Sequence, residues 1–198
     1  MDTLEKKEYT REEYFDIVAE AEYKMEYYRG QIFAMAGAKP NHNIISITLG
    51  ALLYNQLLDK NCTIFSSDQA LSISEDTYFY PDIMVSCGQV ELDENEICLL
   101  NPVLIIEILS KSTRGFDKGK KFALYREIPS LKEYLMIDAE AIGFESYYKE
   151  EGELWRISSG NKLSQSIPLY SLDVEIPLDV LYKKTLGLIS SIFLLSKA

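Results

Sequence analysis

A glutamate stands inside the run VLIIEIL, residues 103–109. A continuous apolar run of this length, preceded by Pro102, reads as a central strand buried on both faces. A carboxylate there carries a large desolvation penalty unless something pairs with it. The fold must therefore bring a partner to Glu107. Candidates lie close in sequence. Asp82 follows Pro81 just before the short apolar stretch IMV, and Lys118, Lys120 and Lys121 follow Glu107 by little more than ten residues. Two acids on strands and a nearby lysine can hold a divalent metal against a phosphate.

The rest of the chain reads as alternating helices and strands. Thr10 and Glu13 form a capping box for the helix YFDIVAEAE. KMEYYRGQIFAMAG is a hairpin about Arg29-Gly30. Pro40-Asn41 opens a long helix whose expected buried face is Ile44, Ile47, Leu52, Leu53 and Leu57. CTIFSS, QALSIS and the segment after Asp82 are short strands, and residues 89–101 are an acidic surface loop. SKSTRGF is a loop, with Asp117 as N-cap of the helix KGKKFALYREI, which Pro129 stops. LKEYLMID is a strand, GFESYYKEEGELWRIS a hairpin and LDVLYKK a last short helix in a β-rich tail. No repeat or linker divides the 198 residues, so one α/β domain is expected over residues 1–198, its core at about 10–180.

Charge narrows the function classes. The net charge of −11 excludes a protein that coats DNA by bulk attraction. Residues 111–126, however, hold six basic residues against one acid and would draw an anion to one place. Three cysteines without CxxC spacing (Cys62, Cys87 and Cys98) predict reduced thiols and a cytoplasmic setting. The charged N-terminus MDTLEKKEYT has no apolar core, so no signal peptide is expected, and no apolar run approaches the length of a membrane span, so no membrane partner is expected. LGLISSIFLL is read as packing on the fold or at a subunit contact.

If the strands of Asp82 and Glu107 are neighbours, their carboxylates meet at one end of the sheet, where they suit Mg²⁺ or Mn²⁺. Asp117, Lys121 and Tyr125 share one helical stripe. Lys121 could bring its ammonium to the metal, while Lys118 and Lys120 would touch flanking phosphates. Glu26, in the first hairpin, is a candidate third acid. His42, the sole histidine, stands at a helix start where it could act as a base or bind phosphate. Each also has a structural reading: Asp82 as a turn cap, Glu107 in a buried salt bridge, the lysines on a solvated face, Glu26 on an exposed hairpin and His42 as a helix-start contact. Serine or cysteine hydrolase chemistry finds no support, and neither P-loop nor GxGxxG is present.

The ordered set MEYYRGQIFAMAG, PNHNIISITLGALL, YFYPDIMV and PVLIIEILSKSTRGFDKGKKFALYREIPSLKEYLMID resembles the PD-(D/E)XK, or restriction-endonuclease-like, nuclease superfamily. Within it, the chain is closest to the Uma-type "putative restriction endonuclease" family. The resemblance implies a mixed central β-sheet flanked by α-helices, with an added β-rich C-terminal part. It implies a Mg²⁺-dependent (or Mn²⁺-dependent) endonuclease acting on nucleic acid, with DNA preferred, and working as a homodimer. Asp82 and Glu107 match the metal-binding acids, and Glu26 matches a hairpin acid. The lysine usual two residues after the second acid is absent, since Leu109 stands there; Lys121 matches a lysine moved to the following helix. His42, Asp117 and Tyr125 match recurrent positions, with His42 and Tyr125 expected beside substrate. A non-catalytic binding module on the same fold, and a nuclease acting on RNA, remain alternatives.

Overall fold

VLIIEIL becomes strand β8, Leu104–Leu109, with every residue buried. The computed structural model describes residues 7–35, 37–111 and 114–189. Alternation divides β8 between two cores. Leu104, Ile106 and Ile108 enter one, and Ile105 and Leu109 enter the other. By the same period, Glu107 faces the second core.

β8 lies inside a six-stranded mixed sheet of order β11-β10-β9-β8-β6-β3. Its members are β3 (Cys62–Ser66), β6 (Ile83–Cys87), β9 (Glu133–Asp138), β10 (Phe144–Lys149) and β11 (Trp155–Gly160). β8 and β9 run parallel, and the other neighbours are antiparallel. The parallel pair is joined by a crossover that begins with α3 (Arg114–Phe116), continues as a π-turn (Asp117–Lys121) and ends as α4 (Phe122–Tyr125). The helix thus starts before Asp117. Asp117 is an internal residue and not the expected N-cap, and Arg114–Phe116 are helical where a loop was expected.

Helix α2 (Pro40–Leu57) covers one face of the sheet through Ile45, Leu49, Leu53 and Leu57. Leu53 and Leu57 fulfil the expectation; Ile47 does not, being 68% exposed. The tail packs on the same core as β12 (Ser166–Leu169), β13 (Val174–Pro177) and α5 (Leu178–Leu181). Leu188 and Ile189 also touch it. From residue 190 onward, LGLISSIFLL lies outside the described residues.

The other face meets a five-stranded sheet of order β2-β1-β5-β4-β7. It comprises β1 (Met25–Tyr28), β2 (Gln31–Ala34), β4 (Ala70–Ser74), β5 (Thr77–Phe79) and β7 (Cys98–Leu99). β7 therefore interrupts the acidic segment expected to be all loop. Arg29 and Gly30 both take positive φ (45° and 77°), the turn that matches the twist of a two-residue hairpin. Helix α1 (Arg11–Glu20), with its Thr10–Glu13 capping box, packs Tyr14 against Tyr27 and Tyr78.

Cys62 and Cys87 form a disulfide, which corrects the expectation of three free thiols. The antiparallel register of β3 and β6 sets these two residues directly opposite one another, a proximity that sequence separation conceals. Cys98 is free and buried. Among the described residues, no helix is long and apolar enough to cross a membrane.

Candidate active site

The register that pairs Ile83 with Ile106 continues to place Asp82 opposite Glu107. Directly opposed residues of an antiparallel pair present side chains on the same face. Asp82 is fixed from two sides. Its Oδ2 accepts the Ile108 backbone N–H at 2.7 Å and lies 3.2 Å from His42 Nε2. Burial pushes the His42 imidazole down, but the hydrogen bond and charge of Asp82, with the charge of Asp117, outweigh it and leave its pKa raised.

The crossover helix delivers the cation. Asp117, Lys121 and Tyr125 are all buried on its inner side. Lys121 Nζ donates to Glu107 Oε1 at 3.0 Å and to Glu26 Oε1 at 3.0 Å, and lies 3.8 Å from Asp117 Oδ1. Its ammonium also stands 5.3 Å from the centroid of the Phe79 ring. The Tyr125 hydroxyl donates to Glu107 Oε1 at 2.7 Å. Glu26 arrives by alternation: Met25 and Tyr27 turn into the core under α1, and Glu26 turns the other way. Its Oε1 also accepts the Tyr80 N–H at 3.3 Å.

One ammonium thus faces three carboxylates, with Asp82 close behind. Burial, helped by the charges of Asp82, Asp117 and Glu26, outweighs the pull of Lys121 and leaves the Glu107 carboxyl raised to about 8. Lys121 is held above its ordinary value by Glu107, Glu26 and Asp117, although burial opposes this. The ammonium therefore stays charged, and the proton that the crowd retains at neutral pH sits among the acids.

Asp82, His42 and Asp117 line a cleft of about 1280 Å³, whose wall includes Ile108, Tyr80 and the start of α2. Glu107, Lys121 and Tyr125 lie behind it, nearly sealed from solvent. The wall is acidic. Its lysines, Lys24 and Lys39, pair with Asp68 and Glu140 of the same wall.

Two carboxylates could hold a metal. The bonds to Glu107 end on Oε1 and those to Asp82 on Oδ2, so among the described residues each keeps an oxygen that accepts none. No three His, Cys, Asp or Glu side chains among the described residues gather as a ligand set. Hard oxygens from two carboxylates nevertheless suit Mg²⁺, which commonly keeps several waters and leaves further positions to substrate phosphates.

Tyr125 is fully buried, and its hydroxyl reaches Glu107 and positions that carboxylate. Lys118 pairs with Glu145 at 2.9 Å, and Arg114 with Asp138 at 2.6 Å. The basic segment therefore does not face the acids as a block; only Lys121 reaches them, and Lys120 is exposed. His42 holds Asp82. Phe79 and the cluster role of Asp117 were missed, although the 117/121/125 stripe carried the signal for the latter.

A family model, Uma2, described as "Putative restriction endonuclease", matches residues 11–179. Two relatives come from Synechocystis sp. (strain ATCC 27184 / PCC 6803 / Kazusa). The uncharacterized protein sll1609 is 40% identical over 151 residues, which is 75% of this chain and 85% of that one. The uncharacterized protein slr1290 is 33% identical over 173 residues, 87% and 90% of the two chains. A crystal structure described as a putative nuclease belonging to DUF820, from Anabaena variabilis, is similar with a TM-score of 0.75 at 18% identity. It covers 90% of this chain and 99% of that one. That likeness bears on the fold, and it agrees with the restriction-endonuclease-like α/β arrangement expected from sequence.

Proposed function

The chain belongs to the Uma2 family, and from that membership and its buried acids we propose that it is a Mg²⁺- or Mn²⁺-dependent endonuclease hydrolysing DNA phosphodiester bonds. One observation carries the reading. A buried ammonium sits 3.0 Å from two carboxylates, beside a third acid whose strand register sets it opposite Glu107. A purely structural ion pair needs one acid per cation, and surplus buried acids are costly unless used.

Asp82 and Glu107 would hold the metal, which when bound would lower the pKa of a water and offset charge on the scissile phosphate. The Ile108 N–H and His42 keep Asp82 in one rotamer. Tyr125 does the same for Glu107. Lys121, held among Glu107, Glu26 and Asp117, stabilises the attacking water and the negative charge that grows on the phosphoryl oxygens. Glu26 acts as an outer acid that anchors the ammonium. The acidic wall repels a bare phosphate chain, which supports a requirement for a divalent cation.

The same acidic wall favours a second reading, a binding module without catalysis. Calorimetric titration with Mg²⁺ and Mn²⁺, followed by cleavage assays on plasmid DNA and on RNA, separates the two. Metal binding and DNA cleavage by the wild type, both lost in Glu107→Ala and Asp82→Ala, are the expected results. A well-folded wild type that cleaves neither polymer with either metal leaves the binding module standing. Cleavage of RNA alone would move the substrate and keep the site.

A further inference from the structure

Helix α2 presents a second apolar face, away from the core. Ile47, Tyr54 and Leu58 are 68%, 63% and 61% exposed, and Ala51 between them is exposed too. Their spacing of four, three and four residues makes one continuous stripe, the pattern of a helix-pairing seam. A helix at the surface of a monomer ordinarily carries charge on that side. Here no Asp, Glu, Lys or Arg occurs from residue 40 to residue 58, in a chain where such residues make up 26%.

Gly50 adds an independent observation. It lies mid-helix, beside the stripe, where glycine weakens a helix relative to alanine. A Cβ built there would meet nothing within 4 Å. Among the described residues, nothing in the packing calls for glycine at this position, whereas the close approach of a second helix does.

From these features we infer that the outer face of α2 is a self-association surface, whose occupant is α2 of a second copy, antiparallel about a two-fold axis. Charge selects this partner. In a two-fold contact a patch meets itself, so any net charge meets its like. In a chain of net −11 a face without charge meets its own copy with no like-charge repulsion, and this face carries no charge. The stripe is also its own complement. Antiparallel pairing centred between Leu52 and Leu53 sets Ile47 against Leu58 and the small Ala51 against the large Tyr54. At 1.5 Å of rise per residue, the two His42 residues would lie roughly 30 Å apart along the helix axes. The inference goes beyond the nuclease reading and stands or falls separately from it.

Sedimentation equilibrium of the full chain over a concentration series tests it. The wild type is expected at twice 22.7 kDa. Tyr54→Glu and Tyr54→Lys, each with unchanged circular dichroism, are expected at 22.7 kDa, and mixing the two restores the dimer. Gly50→Ala is expected to raise the thermal midpoint of the dissociated chain yet weaken association about tenfold. A wild type that stays monomeric throughout overturns the inference. So do charged variants that remain dimeric, which would place the contact on another face.

Discussion

Glu107 and Glu133 stand on adjacent parallel strands, both buried, yet their surroundings differ. Glu133 accepts from Ser146 Oγ at 2.9 Å and from Ser171 through N at 2.9 Å and Oγ at 2.8 Å. Its donors are neutral and divided between both oxygens, and they tie the tail to the sheet. Burial raises its pKa, and the serine bonds oppose the rise. Glu107 meets an ammonium, a phenol and three further acids. Burial of a carboxylate does not by itself mark a working site; crowding of like charge about one cation does.

The sharpest break of this comparison is a pair of isosteric swaps. Glu107→Gln is expected to cut metal-supported cleavage on the order of 1000-fold, with denaturation midpoints at or above the wild type. Glu133→Gln reverses the pattern: stability falls by about 1–3 kcal/mol, and cleavage by the folded fraction is unchanged. Urea unfolding beside a plasmid assay reads both, and a stability loss at Glu107 as large as at Glu133 would erase the distinction.

Removing the cation comes next. Lys121→Met leaves Glu26, Glu107 and Asp117 facing one another and should cost about 3–5 kcal/mol at pH 8. Much of the loss is recovered on acidification, as the acids take up protons. Urea unfolding at two pH values measures it, and an equal loss at both would show that packing of the lysine stem dominates.

The wild type should show a shallower dependence of the same origin. A carboxyl raised from 4.5 to about 8 binds a proton in the folded chain that the unfolded chain has released. Its contribution to stability is full below 4.5 and is lost as pH rises through about 8. Glu107→Gln should flatten that part of the stability profile. The smallest effect is expected from Tyr125→Phe, which removes one hydrogen bond to Glu107, costs about 1 kcal/mol and lowers cleavage less than any change at Glu107. Thermal unfolding and initial rates check it.

Sequence periodicity located β8 and the Arg29-Gly30 hairpin, because each rests on a local rule; the meeting of Asp82 and Glu107 was legible only on the condition that their strands are neighbours. It misphased α2. A helix that is apolar on both faces gives no contrast between inside and outside, so Ile47 was assigned inward and Ile45 and Leu49 were passed over. It separated Cys62 from Cys87, because strand register is a long-range property. Lys121 was legible from its stripe with Asp117 and Tyr125. The pairing of Lys118 with Glu145 was not legible, because Glu145 comes from a distant hairpin.

The π-turn at Asp117–Lys121 makes the site depend on counting. Such a turn amounts to one residue more than an α-helix would use. Deleting Gly119, which touches nothing through a Cβ, would let the crossover close as regular α-helix. The two ends would then be rotated about 100° relative to each other. Tyr125, anchored in the core, would keep Lys121 with it, while Asp117 and Arg114 swung away from their present partners. A chain of this kind can exchange many surface residues freely, yet it has almost no tolerance for a change of length in those five positions.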